Sequence, residues 1–183
     1  MKVLVNSTSM AAWHEIIHEA EANCAIVLTE ETEAYLVFLL MRYLEKPEIV
    51  KQVMAEEFLE GLQLAAGQRE QILRGVGDKC LLFSGLFPKM AERRLVKISY
   101  FVNLGQSAYA TLARTRYDLY ASLARQFVTL MDVLQSIRSD TRDFPDLLPL
   151  QAYDLWNETG SKRALKVLNQ YTQAIPMMTK GYK

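Results

Sequence analysis

Apolar residues recur along this chain at the interval of a helix. Trp13, Ile16, Ile17, Ala20, Cys24, Val27 and Leu28 fall at i, i+3, i+4 and i+7, the pattern of one buried stripe. Period-two runs bounded by turn residues, the mark of paired strands, are missing from the sequence. The spacing therefore predicts an all-α fold, a single compact bundle of about six to eight helices spanning 1–183, with a frayed tail from about residue 174.

Local signals place the elements. The cluster Asn6-Ser7-Thr8-Ser9 reads as the cap before a first helix, and Thr29 followed by Glu30, Glu31 and Glu33 reads as the start of a second. A third is predicted from Pro47 to about Gly67, and a fourth from about Gln68. Helices five and six are expected over 96–114 and 117–139, with Tyr120, Leu123, Ala124, Phe127, Met131 and Leu134 on one face of the sixth. Two shorter helices follow Pro149, separated by Gly160, with Ser161 capping the second. The run AYLVFLLM at 34–41 is apolar nearly all round, which predicts a helix that is enclosed or pairs with another chain, and hence a homodimer. It is too short to span a bilayer, so no membrane partner is expected. The fifth–sixth hairpin and this second helix are expected to form the centre of the bundle.

The 183 residues carry no net charge, but residues 1–66 hold eleven acids against four bases and the remainder ten against seventeen. Those bases are scattered and form no nucleic-acid motif, so nucleic acid is not an expected partner. Two cysteines, Cys24 and Cys80, without C-x-x-C spacing fit a reducing cytoplasm rather than a disulfide scaffold. Phosphate-loop, dinucleotide and nucleophile-elbow patterns are not formed.

Two stretches could carry chemistry. The first is His14-Glu15-Ile16-Ile17-His18, an H-E-x-x-H pattern. Residues four apart share a helix face, so both imidazoles can meet one metal ion, with Glu15 as general base on its water. Glu21, a turn further on, is a candidate third ligand, and Glu31 or Glu33 could be supplied by the next helix. Over these five residues the chain resembles gluzincin-type zinc peptidases, which would imply a metal-dependent hydrolase with zinc at His14, His18 and Glu21. Those enzymes place a β-sheet ahead of the motif helix, whereas thirteen residues precede His14 here. Glu15-x-x-His18 is also the half-motif of a di-iron bundle, but these are the only two histidines.

The second stretch, 77–113, is dense in small, apolar and aromatic residues. Asp78, Arg93, Arg94, Tyr100, Asn103 and Gln106 are expected to cluster where helices four and five meet. Its Gly-Asp, Phe-Pro, Arg-Arg and Tyr elements resemble a family of bacterial all-α proteins, a resemblance that implies a fold and no activity. The arginines suit bidentate recognition of a carboxylate or phosphate. Three readings follow. A non-enzymatic binding or interaction protein without a cofactor is favoured. The alternatives are a zinc-dependent hydrolase and a helical pocket for a small apolar or anionic ligand near Arg93, Arg94 and Tyr100.

Overall fold

A computed structural model of the chain describes residues 2–45, 54–87, 96–113, 118–140 and 147–172. These form eight helices: α1 (Lys2–Cys24), α2 (Glu30–Glu45), α3 (Met54–Gln63), α4 (Ala66–Leu86), α5 (Ile98–Ala113), α6 (Asp118–Asp140), α7 (Pro149–Thr159) and α8 (Lys162–Tyr171). No strand occurs among the described residues. The all-α bundle expected from periodicity is the observed architecture. No described helix is long and apolar enough to cross a membrane. The turn at Pro88, the loop at 143–145 and the tail from 174 lie outside the described residues.

The centre of the bundle is α4. Every residue from Val76 to Gly85 on it is buried, so its C-terminal half is enclosed on all sides. α3, α5 and α6 pack directly on it, and α1 packs on α2 and α6. The expected α5–α6 hairpin packs on α4 at this centre, whereas α2 packs mainly on α1. Gly75, Gly77 and Gly85 weaken α4 as an isolated helix and concealed its central role. A Cβ on Gly77 would strike the Tyr109 ring, one on Gly85 would lie 2.5 Å from Leu134 Cβ, and one on Gly105 would overlap the Phe127 ring and lie 2.8 Å from Cys80 Cβ. Bare backbone at these crossings lets large side chains sit directly on the helix axis.

The helix ends at 160–161 follow their local chemistry, and the start of α1 does not. Gly160 closes α7 in the left-handed region at φ 74° and donates its N–H to Trp156 O at 2.8 Å. Ser161 then caps α8, accepting from the Ala164 N–H at 3.0 Å. The cap is itself held from α6: Ser161 Oγ donates to the buried Asp132 Oδ1 at 2.6 Å, and Arg163 N–H reaches Oδ2 at 3.3 Å. Helix α1 runs through Asn6–Ser9 instead of starting after it. These residues cost only a few tenths of a kcal/mol each in a helix, too little to end one.

The run at 34–41 is less enclosed than its composition suggests. Leu36, Val37, Leu39 and Leu40 are buried, but Phe38 is 55% exposed.

Packing at the glycines predicts opposite outcomes for one substitution. Gly105→Ala should lose about 1–3 kcal/mol, because Phe127 and Cys80 must both yield. Gly75→Ala, where a Cβ meets nothing within 4 Å, should gain about 0.5–1 kcal/mol. Urea denaturation of the two variants beside wild type measures both.

Candidate functional site

Two polar constellations interrupt the apolar core. The first centres on Asp78, buried in the middle of α4. Tyr35 from α2 donates its hydroxyl to Asp78 Oδ1, and Tyr109 from α5 donates to the same oxygen at 2.8 Å. Arg42 Nη1 from α2 donates to Oδ2 at 2.9 Å, and Arg74 Nε stands 3.8 Å from it one turn back on α4. The rings reinforce this arrangement: Tyr35 meets Tyr109 edge-on at 6.2 Å, and Tyr109 stacks on Tyr120 at 6.2 Å. The Arg74 charge also acts on the Tyr120 hydroxyl, opposing the effect of burial there, which brings α6 into the network.

Burial dominates the proton chemistry of this group. It pushes the Asp78 carboxyl above the ordinary aspartate range, against the opposing pull of the Tyr35 and Tyr109 hydroxyls and of Arg42 and Arg74. Burial, and then the Asp78 charge, hold both tyrosines well above their usual range, so they remain protonated donors.

This network forms one wall of a cavity of about 610 Å³, whose lining includes Leu39, Arg42, Glu70, Arg74, Asp78 and Lys79. Both arginine side chains are partly open to it, at 39% and 38% exposure. Lys79 is held by Glu57 of α3 through bonds of 2.8 and 2.6 Å. A second cavity of about 550 Å³ on the α3 side shares Gln71, Gly75 and Lys79 with the first.

Of the described residues expected at the α4–α5 meeting, Asp78 alone joins this group. Tyr100 is 43% exposed and Asn103 is exposed, with its backbone carbonyl taking the Ser107 hydroxyl. The register explains the separation: Phe101 stacks on Phe83, and Tyr109 lies on Gly77. Tyr100 is nine residues, about 13 Å of helix, from the Asp78 level. Gln106 turns toward α6 and donates to Ala124 O at 3.4 Å. Arg93 and Arg94 lie outside the described residues. Tyr35 and Arg42 lie 43 and 36 positions from Asp78 and no local spacing links them to it, whereas Arg74, four residues before Asp78, carries an i,i+4 signal that the sequence reading passes over.

The second constellation joins α1 to α2. His14 Nδ1 lies 2.8 Å from Glu33 Oε1, His18 Nε2 lies 3.4 Å from the same oxygen, and His18 Nδ1 lies 3.1 Å from Glu21 Oε2. Glu21 also accepts the Leu28 N–H at 2.6 Å. One ligand atom each from His18, Glu21 and Glu33 lies within 4.8 Å of the others. A tight reversal brings the helices together. Ala25 takes the left-handed conformation at φ 54°, and Ile26 N–H closes on Glu21 O at 3.0 Å. Glu15 is exposed, and among the described residues no hydrogen bond or ion pair links it to this group.

The raised Asp78 carboxyl fixes a sign. The folded state holds this proton to higher pH than the unfolded chain does, so its contribution to stability is present below the ordinary aspartate range near 3.8 and is lost as pH rises through the folded value. Asp78→Asn removes the titration and keeps the shape. Wild-type stability relative to Asp78→Asn should therefore fall as pH rises from about 3.5 toward neutrality, measured by urea denaturation across that range. A relative gain with pH would contradict the assigned direction.

Comparison with protein-family models, curated proteins and solved structures gives no match to this chain.

Proposed function

We propose that this chain is a non-enzymatic binding protein whose ligand seat is the cavity between α2 and α4. One observation carries the reading: two arginines face that cavity while a buried carboxylate behind them holds their orientation. A guanidinium anchored at one edge keeps further N–H donors for a ligand and loses little freedom on binding. The seat has the volume of a small-molecule site, and its exposed donors suit a compact molecule bearing a carboxylate or phosphate. Glu70 on the rim would disfavour a highly charged anion and admit one that also offers a donor. The sequence reading puts such a pocket near Arg93, Arg94 and Tyr100 with Asp78 in its lining; the proposed seat keeps Asp78 and takes Arg42 and Arg74 as its cationic partners.

The expected cytoplasmic location is supported by Cys24 and Cys80, which are free thiols held protonated chiefly by burial. The expected homodimer is supported by Phe38, whose ring is more than half exposed within an otherwise buried run. Light scattering at micromolar concentration should give a dimer mass for wild type and a monomer mass for Phe38→Glu. A monomer mass for wild type would remove the dimer from this reading.

Thermal unfolding with inorganic phosphate, sulfate and small dicarboxylates tests the seat. A bound anion at ten times its Kd adds about 1.4 kcal/mol, or about 3–5 °C in Tm for a chain of this size. At least one probe should raise wild-type Tm by that amount and leave the Arg42→Gln/Arg74→Gln variant unmoved. No rise with any probe, or an equal rise in the variant, would refute an anion seat at these arginines.

A further inference from the structure

The α1–α2 group is distinct from the α2–α4 seat, and it contains both histidines of the chain. We propose that His18, Glu21 and Glu33 bind one divalent transition-metal ion of the zinc class, with His14 holding the Glu33 carboxylate in position.

Distance supports this assignment first. Metal–ligand bonds of 2.0–2.2 Å in a tetrahedral shell put neighbouring ligand atoms about 3.4 Å apart. His18 Nδ1 lies 3.1 Å from Glu21 Oε2, and one nitrogen of His18 with one oxygen each of Glu21 and Glu33 all lie within 4.8 Å of one another. A small adjustment of side chains, with no movement of backbone, closes them on a cation.

Charge supports it second. The Glu21 and Glu33 side chains are only 8% and 12% exposed, and an oxygen of each lies within 4.8 Å of the other beside one imidazole. Among the described residues no lysine or arginine reaches either carboxylate, and the ion pairs they make are to His14 and His18. Two shielded carboxylates this close repel each other, and a divalent cation between them cancels that repulsion.

The position of His14 supports it third. His14 acts as the outer partner that orients a ligating carboxylate.

The donor set selects the metal. Calcium and magnesium seek six or more oxygens, whereas one imidazole with two carboxylates suits zinc and its neighbours. The His18 side chain is 67% exposed, so coordination positions remain open to solvent and the ion exchanges. This arrangement differs from the H-E-x-x-H expectation of paired His14 and His18 ligands. The second carboxylate comes from α2, and the ion would clamp α1 to α2 across the Ala25 turn.

The test is zinc titration calorimetry on the tag-free full chain after chelator treatment, with cobalt absorption as a second readout. Wild type should take one zinc per chain and give the intense visible cobalt bands of a low-symmetry site. Glu33→Gln and His18→Gln should each weaken binding at least about tenfold, and His14→Gln should weaken it up to about tenfold while keeping one site. His18 is largely exposed, so its variant retains the fold; an unchanged far-ultraviolet circular dichroism spectrum checks this. No binding at millimolar zinc overturns the proposal, as does wild-type affinity in folded His18→Gln, which would place the ion elsewhere. Displacement of zinc by equimolar calcium would overturn the assigned metal class.

Discussion

A carboxylate enclosed by a helical core is tolerated only where its charge is met on every side, and the arrangement around Asp78 follows from that requirement. An isolated buried carboxylate would cost several kcal/mol after relaxation. Tyr35 and Tyr109 supply two neutral donors to one oxygen, and Arg42 and Arg74 supply cationic edges to the other. Because these groups come from α2, α4 and α5, meeting the charge also sets where those helices sit. Leucines alone would permit several registers for α5 on α4; a tyrosine hydroxyl that must reach Oδ1 permits one. This is the sense in which a buried polar group contributes specificity even where a well-packed apolar substitute would be as stable.

The same requirement accounts for the bare backbone nearby. Tyr109 can reach Asp78 from α5 only by lying across α4, and Gly77 supplies the space, since any side chain there would collide with the ring. One turn further, Gly105 on α5 does the same for Phe127 of α6 and lets Cys80 approach. The glycines lower the helix propensity of α4 and α5, and burial repays this. Each enclosed leucine or phenylalanine, such as Leu81, Leu82 and Phe83, contributes about 1.5–3 kcal/mol when taken out of water. Tertiary packing outweighs local preference throughout this segment.

What sequence reasoning could read, and what it could not, divides along the range of the interactions. The αL glycine at 160 and the serine cap at 161 are written in adjacent residues, and both are where local chemistry puts them. The helical stripe of α1 was legible in part: Ile17 and Ala20 are fully buried, whereas Ile16 is 38% exposed and Val27, past the helix end, is 94% exposed. The polar ring around Asp78 was not, because Tyr35 sits inside the apolar run at 34–41 and Arg42 just past its end, and their target is on another helix. Asp132 escaped for the same reason, since its service to the α8 cap spans 29 positions. The α1–α2 cluster is an intermediate case. The turn between the helices is short, so a glutamate of the second helix could be named as facing the histidines. Only the reversal at Ala25 decides that Glu33 reaches them.

The nearly all-round apolar character of α2 acquires a physical explanation from its neighbours. Leu36, Val37 and Leu40 share the face of Glu33, the side turned to α1 and α6. Leu39 lies between Tyr35 and Arg42 on the side turned to α4. The helix is therefore sandwiched, and Phe38 is among the few positions left facing outward. Each buried face carries apolar contacts framed by a polar tie: Glu33 to the histidines on one side, Tyr35 and Arg42 to Asp78 on the other. Apolar contact is indifferent to small slides along the axis, whereas these ties are not, because hydrogen bonds weaken steeply with misalignment. A displacement of α2 by one residue would break both sets together. The two polar constellations are thus mechanically linked through a single rigid helix, although they share no residue.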